Sequence, residues 1–201
     1  MNFSEKPKIG VIILAAGSSS RMNGTPKQLL KFQGKTLLRR AAETALQGGF
    51  YKTIVVLGAN HKIFRKEIED LPLQIAVNEN WQGGVSSSIK AGLLTLSEEN
   101  LDAVIFMLCD QPFVSAEILR RLRDVFAETK KAIVASEYEN TIGVPALFAR
   151  EIFDELHNLQ NDEGAKKIIK KDMNRTALVT VPEAAFDIDT LRDYEELKRL
   201  N

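Results

Sequence analysis

Ile9-Gly10-Val11-Ile12-Ile13-Leu14 runs without a break into Ala15-Ala16-Gly17-Ser18-Ser19-Ser20-Arg21-Met22-Asn23-Gly24-Thr25-Pro26-Lys27. The first six residues are short, apolar and rich in β-branched side chains, the pattern of a strand buried on both faces. The residues after them are small and turn-forming and carry two cations. Small side chains let a ligand come close to the backbone. Successive free N–H groups in such a loop form an anion nest, Arg21 adds a planar fork of donors, and Lys27 adds a mobile point charge for phosphate oxygens. The loop suits a triphosphate, although on composition alone it reads equally well as a Gly/Ser surface loop with two charges.

Two other phosphate loops do not fit. Gly34-Lys35-Thr36 imitates the end of a Walker A motif, but Leu29 stands where the first glycine belongs, so the triplet reads as a turn and a helix start. Gly17 is followed by Ser19 where a dinucleotide fingerprint needs glycine, and no Gly-x-Gly-x-x-Gly occurs in the chain.

Outward from this loop, further apolar runs at 53–57, 74–77, 103–108 and 132–135 read as buried strands. Between them lie residues with helical spacing, such as Val85, Ile89, Leu93 and Leu96, or Ile118, Leu119, Leu122, Val125 and Phe126 behind a Ser115 cap. This alternation predicts an α/β fold: a Rossmann-like, mostly parallel sheet with helices on both faces and ligands beyond the carboxyl ends of the strands. After Gly143 the expected order is a strand at 144–148, helices at 150–159 and 163–171, and a short strand at 177–181. A closing helix follows Thr190, with Asp193 completing a capping box. At 201 residues and 44% hydrophobic content, a single domain over residues 1–201 is the default.

Charge and cysteine content narrow the partners. Lys plus Arg equals Asp plus Glu at 27 each, so no global field gathers nucleic acid or a membrane surface, and neither is an expected partner. The lone Cys109 cannot form an internal disulfide, and with two histidines it is too little for a zinc site. A reducing cytoplasm is the expected compartment. Lys6 and Lys8 before the apolar run imitate a secretory leader, but the run is short and Glu5 spoils the basic flank. In that compartment the acceptor-like triplets at Asn2 and Asn23 carry no glycan.

Candidate chemistry gathers at strand ends. Asp110 follows the run at 103–108 and Cys109, and Pro112 then turns the chain, which places a carboxylate on the ligand edge. Mg²⁺ takes oxygen ligands, keeps several waters and typically uses one or two carboxylates plus phosphate oxygens. Asp187-Ile188-Asp189 offers further acids, which alternation points to one side while a strand continues. An aspartate in such a place is more often a turn or cap residue. Gly83, Gly84, Ser86, Ser87 and Ser88 mark a helix start with exposed N–H groups, for which serine capping is the simple reading. Cys109 reads as a buried small hydrophobe, His61 and His157 as surface residues of helical segments, and Leu147 and Phe148 as core.

Leu14 to Met22 with Pro26-Lys27-Gln28-Leu29-Leu30 resembles the signature of the MobA/MocA-like nucleotidyltransferases. The resemblance continues through 78–93, Cys109-Asp110-Gln111-Pro112, 143–148, 162–165 and 186–190. It implies the nucleotide-diphospho-sugar transferase type of fold, with a nucleotide-binding part at about 8–115 and an acceptor-binding and closing part at about 140–201. It implies that Leu14, Ala15, Ala16, Gly17, Gly84 and Ser88 bind the nucleotide. By the same resemblance Arg21 and Lys27 hold its phosphates and act with Asp110 in catalysis, while Asp110 and Asp189, chosen over Asp187, hold Mg²⁺. Asn23 departs from the family pattern as an apparent one-residue insertion before Gly24, and Asn161-Asp162 stands for the usual Gly-Asp.

Leu14-Ala15-Ala16-Gly17 and Pro26-Lys27-Gln28 are most similar to the cytidylyl branch, the molybdenum cofactor cytidylyltransferases. The implied reaction moves CMP from CTP to the phosphate of molybdopterin or molybdenum cofactor and releases pyrophosphate. A molybdoenzyme or its chaperone is the implied protein partner. The alternatives are another phosphate acceptor, such as a sugar or polyol phosphate, use of GTP, or a non-catalytic molybdenum cofactor carrier.

Overall fold

The computed structural model describes residues 7–19, 22 and 24–200. β1 (Ile9–Ala15) is followed by a two-stranded hairpin of β2 (Lys31–Phe32) and β3 (Lys35–Thr36), turned at Gly34 with φ of 79°. α1 (Leu37–Gln47) then starts on a Thr36 side-chain cap, so the Gly-Lys-Thr triplet is a turn and helix start. β4 (Lys52–Leu57), α2 (His61–Arg65), β5 (Gln74–Val77), α3 (Val85–Thr95) and β6 (Ala103–Leu108) complete the first half. The second half runs through α4 (Ala116–Thr129), β7 (Ile133–Tyr138), β8 (Thr141–Ala149), α5 (Phe153–His157) and α6 (Ala165–Lys171), then β9 (Thr176–Thr180) and α7 (Leu191–Arg199).

Among the described residues the main sheet has seven strands in the order β5-β4-β1-β6-β8-β7-β9. All run parallel except β8, which pairs antiparallel with β6 and β7. The chain moves from β1 outward to β4 and β5, then returns through α3 to β6 on the other side of β1. The order of strands reverses there, so the crevice between the carboxyl ends of β1 and β6 is where a ligand is expected.

Strand periodicity divides the core. Val11 and Ile13 face a cluster with Leu38, Ala42 and Ala45 of α1 and Ile118, Leu119 and Leu122 of α4. Ile12 faces the opposite layer with Ile89 and Leu93 of α3, Leu156 of α5 and Ile168 of α6. A glycine inside a helix costs roughly 0.5–1 kcal/mol against alanine, yet Gly92 sits in α3 because a Cβ there would stand 2.6 Å from Ile12 Cγ2. A third cluster joins Met22, Leu30, Phe32, Leu37, Ile188 and Leu197, so it ties the loop after β1 to the closing segment.

The second half departs in detail from its sequence pattern. The expected helix at 150–159 is a 3-10 turn, Arg150–Ile152, followed by the short α5. Glu163 closes a turn instead of opening a helix: its N–H donates to Gln160 O (2.9 Å) and its carboxylate accepts from Gln160 N (3.0 Å). α6 therefore begins after Gly164. The capping box forms as expected, with Thr190 and Asp193 bonding each other's backbone N–H. Among the described residues no helix is long and apolar enough to cross a membrane.

Candidate active site

Three segments meet at the switch point. The loop after β1 is pinned at Met22, which is fully buried in the third cluster, and then re-enters as the 3-10 turn Lys27–Leu29. The turn after β6 carries Asp110, 7% exposed at the end of a buried strand. The closing segment docks on that turn through Ile188, whose N–H donates to Asp110 O (3.0 Å) and whose side chain is buried beside Met22. Burying Ile188 is what delivers Asp189.

Lys27 lies where the three converge. Its Nζ is paired with Asp110 Oδ2 and lies 2.8 Å from Asp189 Oδ1. Burial opposes the lysine charge, but the Asp110 carboxylate and the hydrogen bonds to Asp110 and Asp189 outweigh it and hold the ammonium above its ordinary value. Asp110 Oδ1 is buried with no hydrogen-bond partner. Two carboxylate oxygens aimed at one cation, beside an orphaned buried oxygen, fit a divalent ion that takes one or two carboxylates and keeps its waters. Among the described residues no group of three or more His, Cys, Asp or Glu side chains could hold a metal.

Asp187 is also near. Its side chain reaches solvent, but loss of hydration against the packed chain, then the carboxylates Asp189 and Asp110, raise its carboxyl above the usual range. Residues 187–189 are not in a strand, and the middle residue Ile188 is the buried one. Cys109 is buried, and burial followed by the Asp110 charge pushes its thiol up to about 12, which makes it a poor nucleophile.

The proposed nucleotide residues fall on neighbouring segments. Leu14 and Ala15 end β1, and Ala16, Gly17 and Ser18 continue beyond the sheet. Trp81 and Ala16 pack around Gly58, where a Cβ would meet Trp81 Cβ at 2.6 Å and Ala16 O at 2.7 Å. Gly84 caps α3 with φ of 83°, and a Cβ there would strike Asn161 C and O at 2.4 Å. The Asn161-Asp162 turn is thus docked on the start of α3, where Ser86 N donates to Asn161 O (3.1 Å). Ser88 is buried and accepts from Asn78 Nδ2 (3.1 Å), so its hydroxyl is set into the packing behind that helix start. Arg21 and Asn23 lie outside the described residues.

Three residues passed over in the sequence organise this edge. Gln28 is buried and bonds the carbonyls of Ala15 and Gly17. Gln111, also buried, donates from Nε2 to Ala184 O (2.9 Å) and Val144 O (3.3 Å), which ties the Asp110 turn to the closing half. Asn78 holds both Ser87 and Ser88. The one available signal was position: each amide stands within two residues of a strand end or a charged site residue. A surface hollow of about 340 Å³ lined by Lys52, Thr53 and Gln74 lies at the amino ends of β4 and β5, the opposite edge from these groups.

A loop of small residues after β1 and two carboxylates at the switch point of a mostly parallel sheet are the arrangement of a nucleotidyltransferase-type α/β protein. The chain belongs to the MobA-like NTP transferase domain family, which it matches over residues 11–177. Nicotine blue oxidoreductase of Paenarthrobacter nicotinovorans is 36% identical over 122 residues, 61% of this chain and 59% of that protein, so the match spans less than two thirds of that relative. Purine catabolism protein PucB of Bacillus subtilis is 25% identical over 198 residues, 94% of this chain and 95% of its own length. The crystal structure of Rv0371c from Mycobacterium tuberculosis superposes with a TM-score of 0.83 at 31% identity, covering 96% of this chain and 98% of that one. The same protein in complex with manganese gives 0.79 at 29% identity over 94% and 97% of the two chains. The sheet and its helix layers are therefore of the nucleotide-diphospho-sugar transferase type.

Proposed function

We propose that the protein transfers CMP from CTP to the terminal phosphate of molybdopterin or its molybdenum-loaded form, releasing pyrophosphate. The observation that carries nucleotidyl transfer is the convergence of Lys27, Asp110 and Asp189 beside the loop after β1. CTP and the pterin acceptor are supported by the resemblance of the loop at 14–17 and 26–28 to the cytidylyl branch.

The acceptor phosphate already carries negative charge, so the chemistry asks little of a general base. An acceptor oxygen bonds to the α-phosphorus of CTP, and the bond from that phosphorus to the oxygen leading to the β-phosphate breaks. The protein's part is alignment and neutralisation of the departing pyrophosphate. Asp110 and Asp189 would hold a Mg²⁺ ion, which supplies positive charge to the phosphate oxygens when bound. Lys27, on its flexible stem, exchanges its carboxylate partners for phosphate oxygens, and the loop backbone orients the triphosphate. The Gly143–Phe148 part of β8 and the Asn161-Asp162 turn form the acceptor side, with the parts at about 8–115 and 140–201 dividing the labour. The name of the nicotine blue oxidoreductase relative suggests redox chemistry, but this loop is not built on a dinucleotide fingerprint.

Pyrophosphate release with Mg²⁺ and CTP, GTP or ATP, with and without molybdenum cofactor, tests the reading. Release that needs both CTP and the cofactor is expected. Release with a sugar or polyol phosphate would replace the acceptor, and nucleotide binding without release under these conditions would leave a carrier.

A further inference from the structure

Gln28 is 1% exposed, and both polar atoms of its amide are engaged. Nε2 donates to the carbonyls of Ala15 (3.1 Å) and Gly17 (2.8 Å), and Oε1 accepts from the Ser19 hydroxyl (3.1 Å). The Ser19 hydroxyl in turn accepts from the Lys27 N–H (3.0 Å). One buried side chain therefore ties three loop residues to each other and, through Ser19, to the backbone of the lysine at the centre of the site. Ser19 has a φ of 56°, a left-handed conformation that a serine adopts only where its surroundings hold it.

Peptide planarity turns this clamp into a statement about donors. In a trans peptide the N–H of one residue points opposite to the C=O of the residue before it. With the carbonyls of Ala15 and Gly17 drawn in to Gln28, the N–H groups of Ala16 and Ser18 are sent away from it. Among the described residues neither N–H donates to a protein acceptor. The loop also has room beside it, since Gly17 and Ser18 are exposed and a Cβ built on Gly17 would meet nothing within 4 Å.

We propose that Gln28 is a positioning residue for the nucleotide, fixing the Ala16 and Ser18 N–H groups as paired donors to phosphate oxygens and setting the Lys27 backbone beside them. The inference rests on the nucleotidyl-transfer reading and deepens it. Without the amide the loop must choose among backbone orientations when the ligand arrives, so phosphate affinity falls while the fold, carried by the sheet, persists. A purely structural Gln28 predicts the reverse: lower stability with undiminished affinity per folded molecule.

The test is calorimetric titration of pyrophosphate and of CTP, each with Mn²⁺, into the wild type, Gln28→Met and Ser19→Ala, with the folded fraction taken from circular dichroism and urea unfolding. Gln28→Met keeps the length of the side chain and removes its hydrogen bonds. Both ligands are expected to bind it more weakly per folded molecule by about tenfold or more, and Ser19→Ala, which leaves both carbonyls on the amide, by less. Wild-type affinity in Gln28→Met would overturn the proposal. Should that variant not fold, Gln28→Glu decides: it keeps the acceptor for Ser19 but sets an oxygen against two carbonyls, so pyrophosphate binding is expected to fail, and retained binding would overturn the proposal equally. A wild type that binds neither pyrophosphate nor CTP, GTP or ATP would instead bring down the parent reading and this one with it. GTP bound in place of CTP would correct the nucleotide alone, with the same comparison then made on GTP.

Discussion

The two carboxylates that grip Lys27 are held in unlike ways. Asp110 is rooted just beyond a central strand whose residues 103–107 are buried, and it is 7% exposed, with Oδ1 left without a hydrogen-bond partner. Asp189 stands on an irregular segment with its side chain 42% exposed. Its place is set by Ile188 docking on the Asp110 backbone and by Asp193 Oδ2 accepting from the Asp189 N–H (3.1 Å). The inner acid inherits its position from the sheet, whereas a cap and a buried isoleucine outside the sheet help to place the outer one. Under the proposed function the inner group would be the fixed point of the chemistry, and the outer group its adjustable wall.

On that contrast the largest effect is expected at the inner acid. Asp110→Ala is expected to lower turnover on the order of 10²–10³-fold with unchanged circular dichroism, because it removes a fixed charge from a water-poor site. Steady-state pyrophosphate release reads this, and activity within a few fold of wild type would strip Asp110 of its place in the reaction.

Lys27→Met probes the pair together. It takes away the cation that Asp110 and Asp189 share, and breaking a buried pair costs about 3–5 kcal/mol. The exposure of Asp189 brings the expected loss down to about 2 kcal/mol, measured by urea unfolding. Turnover is expected to fall by orders of magnitude as well. Mn²⁺ is expected to restore more stability to this variant than it adds to the wild type, since an ammonium and a divalent ion compete for the same oxygens. Greater stabilisation of the wild type would show that the two cations use separate sites.

The same contrast explains what could be read from the sequence. Strands buried in a parallel sheet are continuous apolar runs, so β5 and β6 fall on their expected residues, and β1 and β4 differ only at their ends. Asp110 was legible for a related reason, since a lone acid closing such a run has little to do in the core. Beyond Gly143 the pattern weakens because structure there is decided by distant partners. β8 turns against its neighbours, and a register shift between Ala135 and Ser136 lets β7 follow it. Gln28 stood in the Pro-Lys-Gln motif without a role, because only the folded loop shows the two carbonyls that its amide bonds.

Asp189→Asn sharpens the comparison at a smaller scale. The neutral amide can still accept from Lys27, so the fold is expected to hold. Half-maximal metal activation should move up by about tenfold, equivalent to roughly 1.4 kcal/mol, with a lesser change in maximal turnover than in Asp110→Ala. Titration of activity with Mg²⁺ reads the shift. An effect as large as that of the inner acid would mean that the closing segment is as fixed as the strand.

The smallest effect separates Asp189 from its neighbour Asp187. Loss of hydration, then the carboxylates Asp189 and Asp110, raise the Asp187 carboxyl above its unfolded value, with Lys27 opposing. The folded state therefore binds this proton more tightly than the unfolded chain does. Below the unfolded value both states are protonated and the acid costs nothing. Stability then falls as pH rises through the window up to the folded value, and above it the penalty is complete. Asp187→Asn carries no charge at any of these pH values, so it should exceed the wild type in stability near neutral pH by about a few tenths of a kcal/mol after solvent screening. Under acid conditions below the ordinary aspartate range, the two should be equal. Urea midpoints at the two pH values test this. A wild type more stable than the variant at neutral pH would mean that the Asp187 carboxylate is paired with a cation in the folded protein. The outer wall of the site would then be Asp187, and Asp189 only its brace.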